Sequence, residues 1–306
     1  MWIRRVAVAA VLVPLAPLLA ACAGPTGGDV VASFYPLQFV AERVVGGHLS
    51  VSGLTAPGVE PHDLELTPRQ RAGVDAAQVV VYEKGLQPAV DEAVRASGVE
   101  HVVDAADVVP LRSVDQHASE DHAGDLSEHG HDGGEPDPHF WLDPTLLAQV
   151  AEAVGKEVAA ADPDHAADYR HNTAALVADL HRLDREFRTG LAQCRIHTLV
   201  VSHDAFGYLG DRYGLEIVPI AGLSPGAEPS PKRLAELQRV AREKGVTTIF
   251  SEELASPALA QTLARDLGLR TAVLSPVEGL TKAGSADYLS VMRDNLAAIR
   301  KANDCS

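Results

Sequence analysis

A chain of 306 residues, 46% hydrophobic but only 5% aromatic, is long enough for one or two globular domains. The formal net charge is −16, and losing Arg4 and Arg5 with the first 21 residues, which hold no acid, takes it to −18. Such a surface repels nucleic acid and anionic lipid headgroups and draws in cations, which excludes nucleic acid as a partner, although adaptation of an exported protein explains the charge equally well.

Arg4 and Arg5 precede an apolar stretch, Val6 to Ala21, that ends in Leu19-Ala20-Ala21-Cys22. A positive start, an apolar run short for a bilayer and small residues before the cysteine predict a removable export signal over 1–21 rather than a retained transmembrane anchor. Cys22 stands where a lipid is attached, and 22–28 reads as a flexible tether. The expected location is extracytoplasmic, lipid-anchored to the outer face of the cell membrane or periplasmic.

The first lobe, 29–165, alternates strands and helices. Strands are expected over Asp29–Phe34, Ser50–Leu54, Gln78–Tyr82 and Val99–Asp104, and helices over Pro36–Val45, Thr67–Ala76 and Leu86–Ala96. A run over 115–137 then sets His117, His122, His129 and His131 among acids and glycines with almost nothing to bury, so disorder and loose metal handling are expected there. Asp143-Pro144 opens a helix running to about Ala161.

Residues 166–193 form one long amphipathic helix, with Leu176, Leu180, Leu183, Phe187 and Leu191 three or four apart, that links the lobes. The second lobe, 194–306, repeats the alternation. Its strands are expected over His197–Ser202, Leu215–Ile220, Thr247–Ser251 and Arg270–Leu274, and its helices over Phe206–Tyr213, Ser230–Lys244, Ser256–Leu267 and Ala286–Lys301. The fold class is therefore α/β: two lobes of mostly parallel sheet flanked by helices, joined by one long rigid helix. With Cys22 used for lipid, Cys194 and Cys305 are an even pair in an oxidising compartment and predict a disulfide, two buried thiols or metal ligands being the alternatives.

Three histidines lie just beyond strand ends or in loops, in Glu60-Pro61-His62-Asp63, Asp137-Pro138-His139-Phe140-Trp141 and Val201-Ser202-His203-Asp204. Any one of them alone reads as a surface or capping residue. Together they occupy the side of open α/β sheets where ligand groups gather, and they point to a single metal. Three imidazoles plus one carboxylate suit Zn(II) at about 2.0–2.2 Å, whereas manganese prefers more oxygen. Asp63 and Asp204 are candidates to receive the outer N–H groups, or else cap helices. Trp141 is expected to pack in the cleft. His165, His171 and His181 are expected in solvent, His48, His101 and His197 in loops or at strand edges, and Glu252-Glu253 lines the cleft without an assigned role. A zinc hydrolase would also use three histidines, but no HExxH motif is present and a fourth protein ligand closes the site, so no enzyme is expected.

Five segments carry a family resemblance: Ala32-Ser33-Phe34-Tyr35-Pro36, Pro61-His62-Asp63-Leu64-Glu65-Leu66-Thr67-Pro68, His139-Phe140-Trp141-Leu142-Asp143-Pro144, Ser202 to Tyr208 and Leu274 to Leu280. Over the whole mature chain the sequence resembles the solute-binding lipoproteins of ABC importers for zinc and manganese. The resemblance implies two α/β lobes on a rigid helix, a metal site between them and delivery to an ABC permease, with monomer as the default state; a periplasmic or surface zinc buffer without a transporter would share every binding residue and is the alternative. His62, His139 and His203 match the three histidine ligands of zinc-selective members; manganese-selective relatives tend to place a carboxylate where His203 stands. Many relatives carry an aspartate where this chain has Ser275. Members with a Pro-x-Glu-Gly-Leu segment use its glutamate, which makes Glu278 the expected fourth ligand, with Glu60 and solvent water as alternatives. The histidines over 117–131 resemble the mobile loop of zinc members.

Overall fold

The computed structural model describes residues 28–114, 135–223, 229–282, 284 and 286–306. The signal segment, Cys22, the tether up to residue 27 and His117, His122, His129 and His131 lie outside the described residues.

The first sheet grows from apolar runs separated by proline-started helices. In chain order it comprises β1 (Val30–Ala32), α1 (Tyr35–Val45), β2 (Val51–Gly53), α2 (Pro68–Ala76), β3 (Val79–Tyr82), α3 (Pro88–Ala96), β4 (His101–Asp104) and a single turn, α4 (Ala105–Val108). Thr67 and Gln70 form a reciprocal capping box that starts α2, and Pro68 follows in its first turn. The strands run parallel in the order β2-β1-β3-β4, with Ala32 opposite both Gly53 and Val81. Each crossover therefore returns over a helix and brings the strands' carboxy ends to one side.

A short antiparallel ribbon follows, β5 (Arg112–Val114) with β6 (Glu135–Asp137), pairing Arg112 with Asp137. The loop expected over 115–137 therefore ends earlier than anticipated, because its last three residues form a strand. After a 3-10 turn over Phe140–Leu142 come α5 (Pro144–Ala161) and the 26-residue α6 (Ala166–Leu191). The second lobe contains β7 (Thr198–Val201), α7 (Gly207–Tyr213), β8 (Glu216–Pro219), α8 (Pro231–Glu243), β9 (Thr248–Ser251), α9 (Ala258–Leu267), β10 (Arg270–Val273) and α10 (Tyr288–Asn303). Its strands are parallel in the order β10-β9-β7-β8.

At 1.5 Å per residue α6 spans roughly 39 Å, enough to run past both lobes. Its buried apolar face, Tyr169, Leu176, Leu180, Leu183, Phe187 and Leu191, belongs to an apolar core that also holds Val30 and Val81 of the first sheet and Leu199 and Met292 of the second lobe. One core is thus continuous across the lobes. Arg43 on α1 pairs with Asp179 of α6 at 2.7 Å, and Arg293 on α10 pairs with Glu186 of α6 at 2.8 Å. Smaller clusters fill the outer faces, around Val31 and Val80 in one lobe and Val200 and Ile249 in the other.

Cys194 and Cys305 form a disulfide across a sequence separation of 111 residues, where their backbones also make an isolated antiparallel bridge. The chain's end is thereby fastened to the segment that leaves α6, a closure of that length contributing about 4–5 kcal/mol in the chain-entropy account.

Candidate metal centre

Four side chains from four distant segments converge between the lobes. His62 comes from the loop after β2, His139 follows β6 by two residues, His203 follows β7 by two, and Glu278 lies in the loop after β10. One ligand atom from each lies within 4.8 Å of all the others. Glu278 Oε1 is 3.1 Å from His139 Nε2, 3.3 Å from His203 Nε2 and 3.5 Å from His62 Nε2. His139, His203 and Glu278 are buried, and only His62 keeps some exposure, 14% of its side chain.

The buried Nε2 atoms of all three histidines and both oxygens of Glu278 lack a hydrogen-bond partner, although they face one another. Buried polar atoms are normally satisfied, so converging lone pairs signal a group that the fold is built to receive. Donors around a tetrahedral ion at about 2.0–2.1 Å stand about 3.3–3.4 Å apart. The three N···O spacings bracket that edge, so the arrangement can hold a divalent ion in a closed four-coordinate shell.

The outer nitrogens are held by buried acids. His139 Nδ1 lies 2.8 Å from Asp137 Oδ1, which also accepts the His139 backbone N–H at 3.0 Å. His203 Nδ1 lies 2.5 Å from Glu252 Oε1, to which the Ser202 hydroxyl also donates. Such carboxylates fix the tautomer and aim Nε2 at the centre. These partners differ from the expected Asp63 and Asp204: Asp63 is exposed, and Asp204 is tied through its own backbone N–H to Gly222 O at 3.0 Å. Glu252, without a role in the sequence reading, is 49 residues from His203, and only the pairing of β7 with β9 brings them together. Asp137 carried a local signal, an acid two residues before a candidate ligand.

Electrostatics follow from this packing. Burial alone would raise the Glu278 carboxyl, but the imidazoles of His139, His203 and His62 hold it well below the usual carboxylate range. Burial likewise disfavours a charged His203, yet Glu252 and Glu278 push its pKa up to about 10. His139 is raised as well, its burial outweighed by Asp137 and Glu278. The acids that raise these two imidazoles thus favour positive charge at the centre.

The loop bearing Glu278 is braced. Val277 is buried with φ 59°, a left-handed conformation that costs a β-branched residue about 1–3 kcal/mol. Its N–H donates to Ser275 Oγ at 3.2 Å, Ser275 N–H donates to Asn295 Oδ1 at 2.8 Å, and Trp141 Nε1 donates to Pro276 O at 2.7 Å. Trp141 packs in the cleft as expected, edge-on to Phe34 at 4.8 Å. Ser275 thus shapes the loop while Glu278 faces the histidines. At the rim, Gly58 N–H donates to Leu280 O at 2.7 Å, stitching the first lobe's loop to the second lobe's.

Glu60, the alternative fourth ligand, stays outside the converging set. It accepts the His62 backbone N–H at 3.1 Å, and burial together with the charge of Glu278 raises its pKa. His171 and His181 are exposed as expected, but His165 is half-buried and pairs with Asp162.

Residues 30–302 match the family described as "Zinc-uptake complex component A periplasmic", ZnuA. The chain belongs to that family. It is 35% identical over 300 residues to the zinc-binding lipoprotein AdcA of Streptococcus pneumoniae, a match covering 94% of this chain and 58% of AdcA. It thus spans little more than half the length of that relative. The high-affinity zinc uptake system protein ZnuA of Bacillus subtilis is 35% identical over 277 residues, 89% of this chain and 86% of its own. Among solved structures, the Zn(II)-bound ZnuA-like domain of S. pneumoniae AdcA superposes with a TM-score of 0.74 at 33% identity, covering 91% of this chain and 99% of that one.

Proposed function

We propose that this protein is an extracytoplasmic zinc receptor that binds one Zn(II) ion between its lobes and delivers it to an ABC import permease. The observation that carries the reading is the set of three buried Nε2 atoms and one carboxylate, within 4.8 Å of one another and without hydrogen-bond partners. His62, His139, His203 and Glu278 are its ligands in this reading. Three imidazoles and a single carboxylate favour zinc over manganese, which takes oxygen-rich shells. Copper would outbid zinc on affinity order alone, so geometry and supply do the selecting.

Zinc is cargo here. Four protein groups close the tetrahedron and leave no position for an activated water, which sets this centre apart from a hydrolytic zinc site. The zinc-binding names of the AdcA and ZnuA relatives support the same cargo. The sequence supports a lipid anchor at Cys22 and a monomeric receptor, with 29–165 and 194–306 as its lobes and 166–193 between them. Among the described residues no helix is long and apolar enough to cross a membrane. The histidines at 117, 122, 129 and 131 would add weaker zinc capacity.

Elemental analysis of protein purified without added metal, with chelator-competition titration of the metal-free form, tests the reading. One equivalent of tightly bound zinc is expected, lost in His139→Ala; a stoichiometry that His139→Ala leaves unaltered would refute the assignment.

A further inference from the structure

Arg112 opens β5, directly opposite Asp137 at the end of β6. Its Nη1 lies 2.8 Å from Asp137 Oδ2, while Asp137 Oδ1 takes the His139 imidazole. One buried carboxylate therefore divides its two oxygens between the guanidinium and the histidine. Arg112 Nε reaches Asp211 Oδ2 at 2.7 Å on α7, in the other lobe. Tyr208, also on α7, lies beneath the guanidinium at 5.6 Å; its hydroxyl accepts the Arg112 backbone N–H at 2.7 Å and donates to Asp137 O at 2.8 Å. The first residue of α7 is Gly207, where a Cβ would fall 1.6 Å from Arg112 Nη1, so the guanidinium lies where any other residue would put its side chain. Since α7 starts four residues after His203, Arg112 grips the continuation of the segment that presents that histidine.

We propose that Arg112 is a positioning residue for the metal centre: its fork fixes His139 through Asp137 and clamps the segment after His203 to the first lobe through Asp211 and Tyr208. This rests on the reading of His139 and His203 as ligands. A planar guanidinium presents donors in two directions at once, which a lysine ammonium cannot reproduce with both partners held in place. The device joins β5–β6 to α7, so the two imidazoles keep their relative placement only while the fork is engaged.

The test uses the full mature chain and zinc itself as the probe. Chelator-competition titrations are run on wild type, Arg112→Gln, Arg112→Lys, Asp137→Asn, the Arg112→Gln/Asp137→Asn double variant and Asp211→Asn. Loss of an outer partner weakens metal binding about 10–100-fold, and that range is expected for both Arg112 variants and for Asp137→Asn. The double variant is expected to lose less than the two single losses combined, because the singles share the Arg112–Asp137 contact. Cobalt substitution gives an independent readout: the visible d–d bands are expected to shift in Arg112→Lys, reporting a reoriented imidazole. Asp211→Asn, altering an exposed carboxylate, keeps the test usable if Arg112→Gln does not fold, and a several-fold loss is expected there. Dissociation constants within twofold of wild type in both Arg112 variants, additive losses in the double, or an equal drop in melting temperature with and without zinc would each overturn the proposal. Wild type that fails to bind zinc would instead end the parent reading.

Discussion

Among the described residues, two clusters of histidine and carboxylate differ in what is left over. Near the start of α6, His48 and His165 stack at 4.3 Å, His48 Nε2 faces Asp168 at 3.1 Å, and His165 Nδ1 faces Asp162 at 2.7 Å, which also takes the Tyr169 hydroxyl at 2.5 Å. Both rings are about a third or more exposed, and this cluster is a set of pairs at a wet surface, closed upon themselves. Between the lobes, by contrast, each imidazole of His139 and His203 uses one nitrogen on a buried acid and keeps the other free for the centre. Histidines beside acids therefore do not make a metal site. Buried lone pairs that converge and lack partners are what a metal site requires.

Removing a central ligand should break this contrast most strongly. His203→Ala is expected to weaken zinc by well over the hundredfold that follows loss of an outer partner, as read by competition titration. His48→Ala and His165→Ala should leave the zinc constant within twofold. Next comes Glu252→Gln, which keeps the shape but removes the charge behind His203; a loss of about 10–100-fold is expected in the same assay.

pH sharpens the comparison through its sign. With His203 raised to about 10, the metal-free protein gains stability that is complete below the free-histidine value of 6.5 and is lost as pH rises through 10. Glu278, lowered well below 4.5, contributes stability that is present above 4.5 and is lost as pH falls through its depressed pKa. Zinc must displace the imidazole protons, so the melting-temperature gain on adding zinc should grow steadily from pH 6 to pH 9, with net proton release measurable from the buffer dependence of the binding enthalpy. A gain that shrinks over that range would contradict the protonated metal-free centre. The smallest effect is expected from Asp168→Asn, which removes a half-exposed surface pair worth about 0–1 kcal/mol by denaturant titration.

Much of this architecture is legible in the amino-acid order, for local reasons. Thr67-Pro68, Asp143-Pro144 and Ser230-Pro231 announce helix starts through capping oxygens and prolines, and the apolar runs at Val79–Tyr82 and Thr198–Val201 are buried parallel strands. The converging histidines are readable because His203 lies just past a strand's carboxy end while His62 and His139 fall in loops, each directly after a proline. The β5–β6 ribbon is not, since three-residue strands rich in polar groups and 20 residues apart carry no periodicity and are defined only by pairing. Glu252 escapes for the same reason. Its partnership with His203 exists only once β7 and β9 lie side by side, and sequence adjacency points to Asp204 instead.

His62 is the one converging group that solvent reaches, on a loop tied to the opposite lobe by the backbone hydrogen bond from Gly58 to Leu280. The apolar core around α6 is shared by both halves, so swinging them apart would expose it to water. On the zinc-receptor reading, an ion would enter and leave past His62, and loosening 56–62 would open the centre while the frame stays intact.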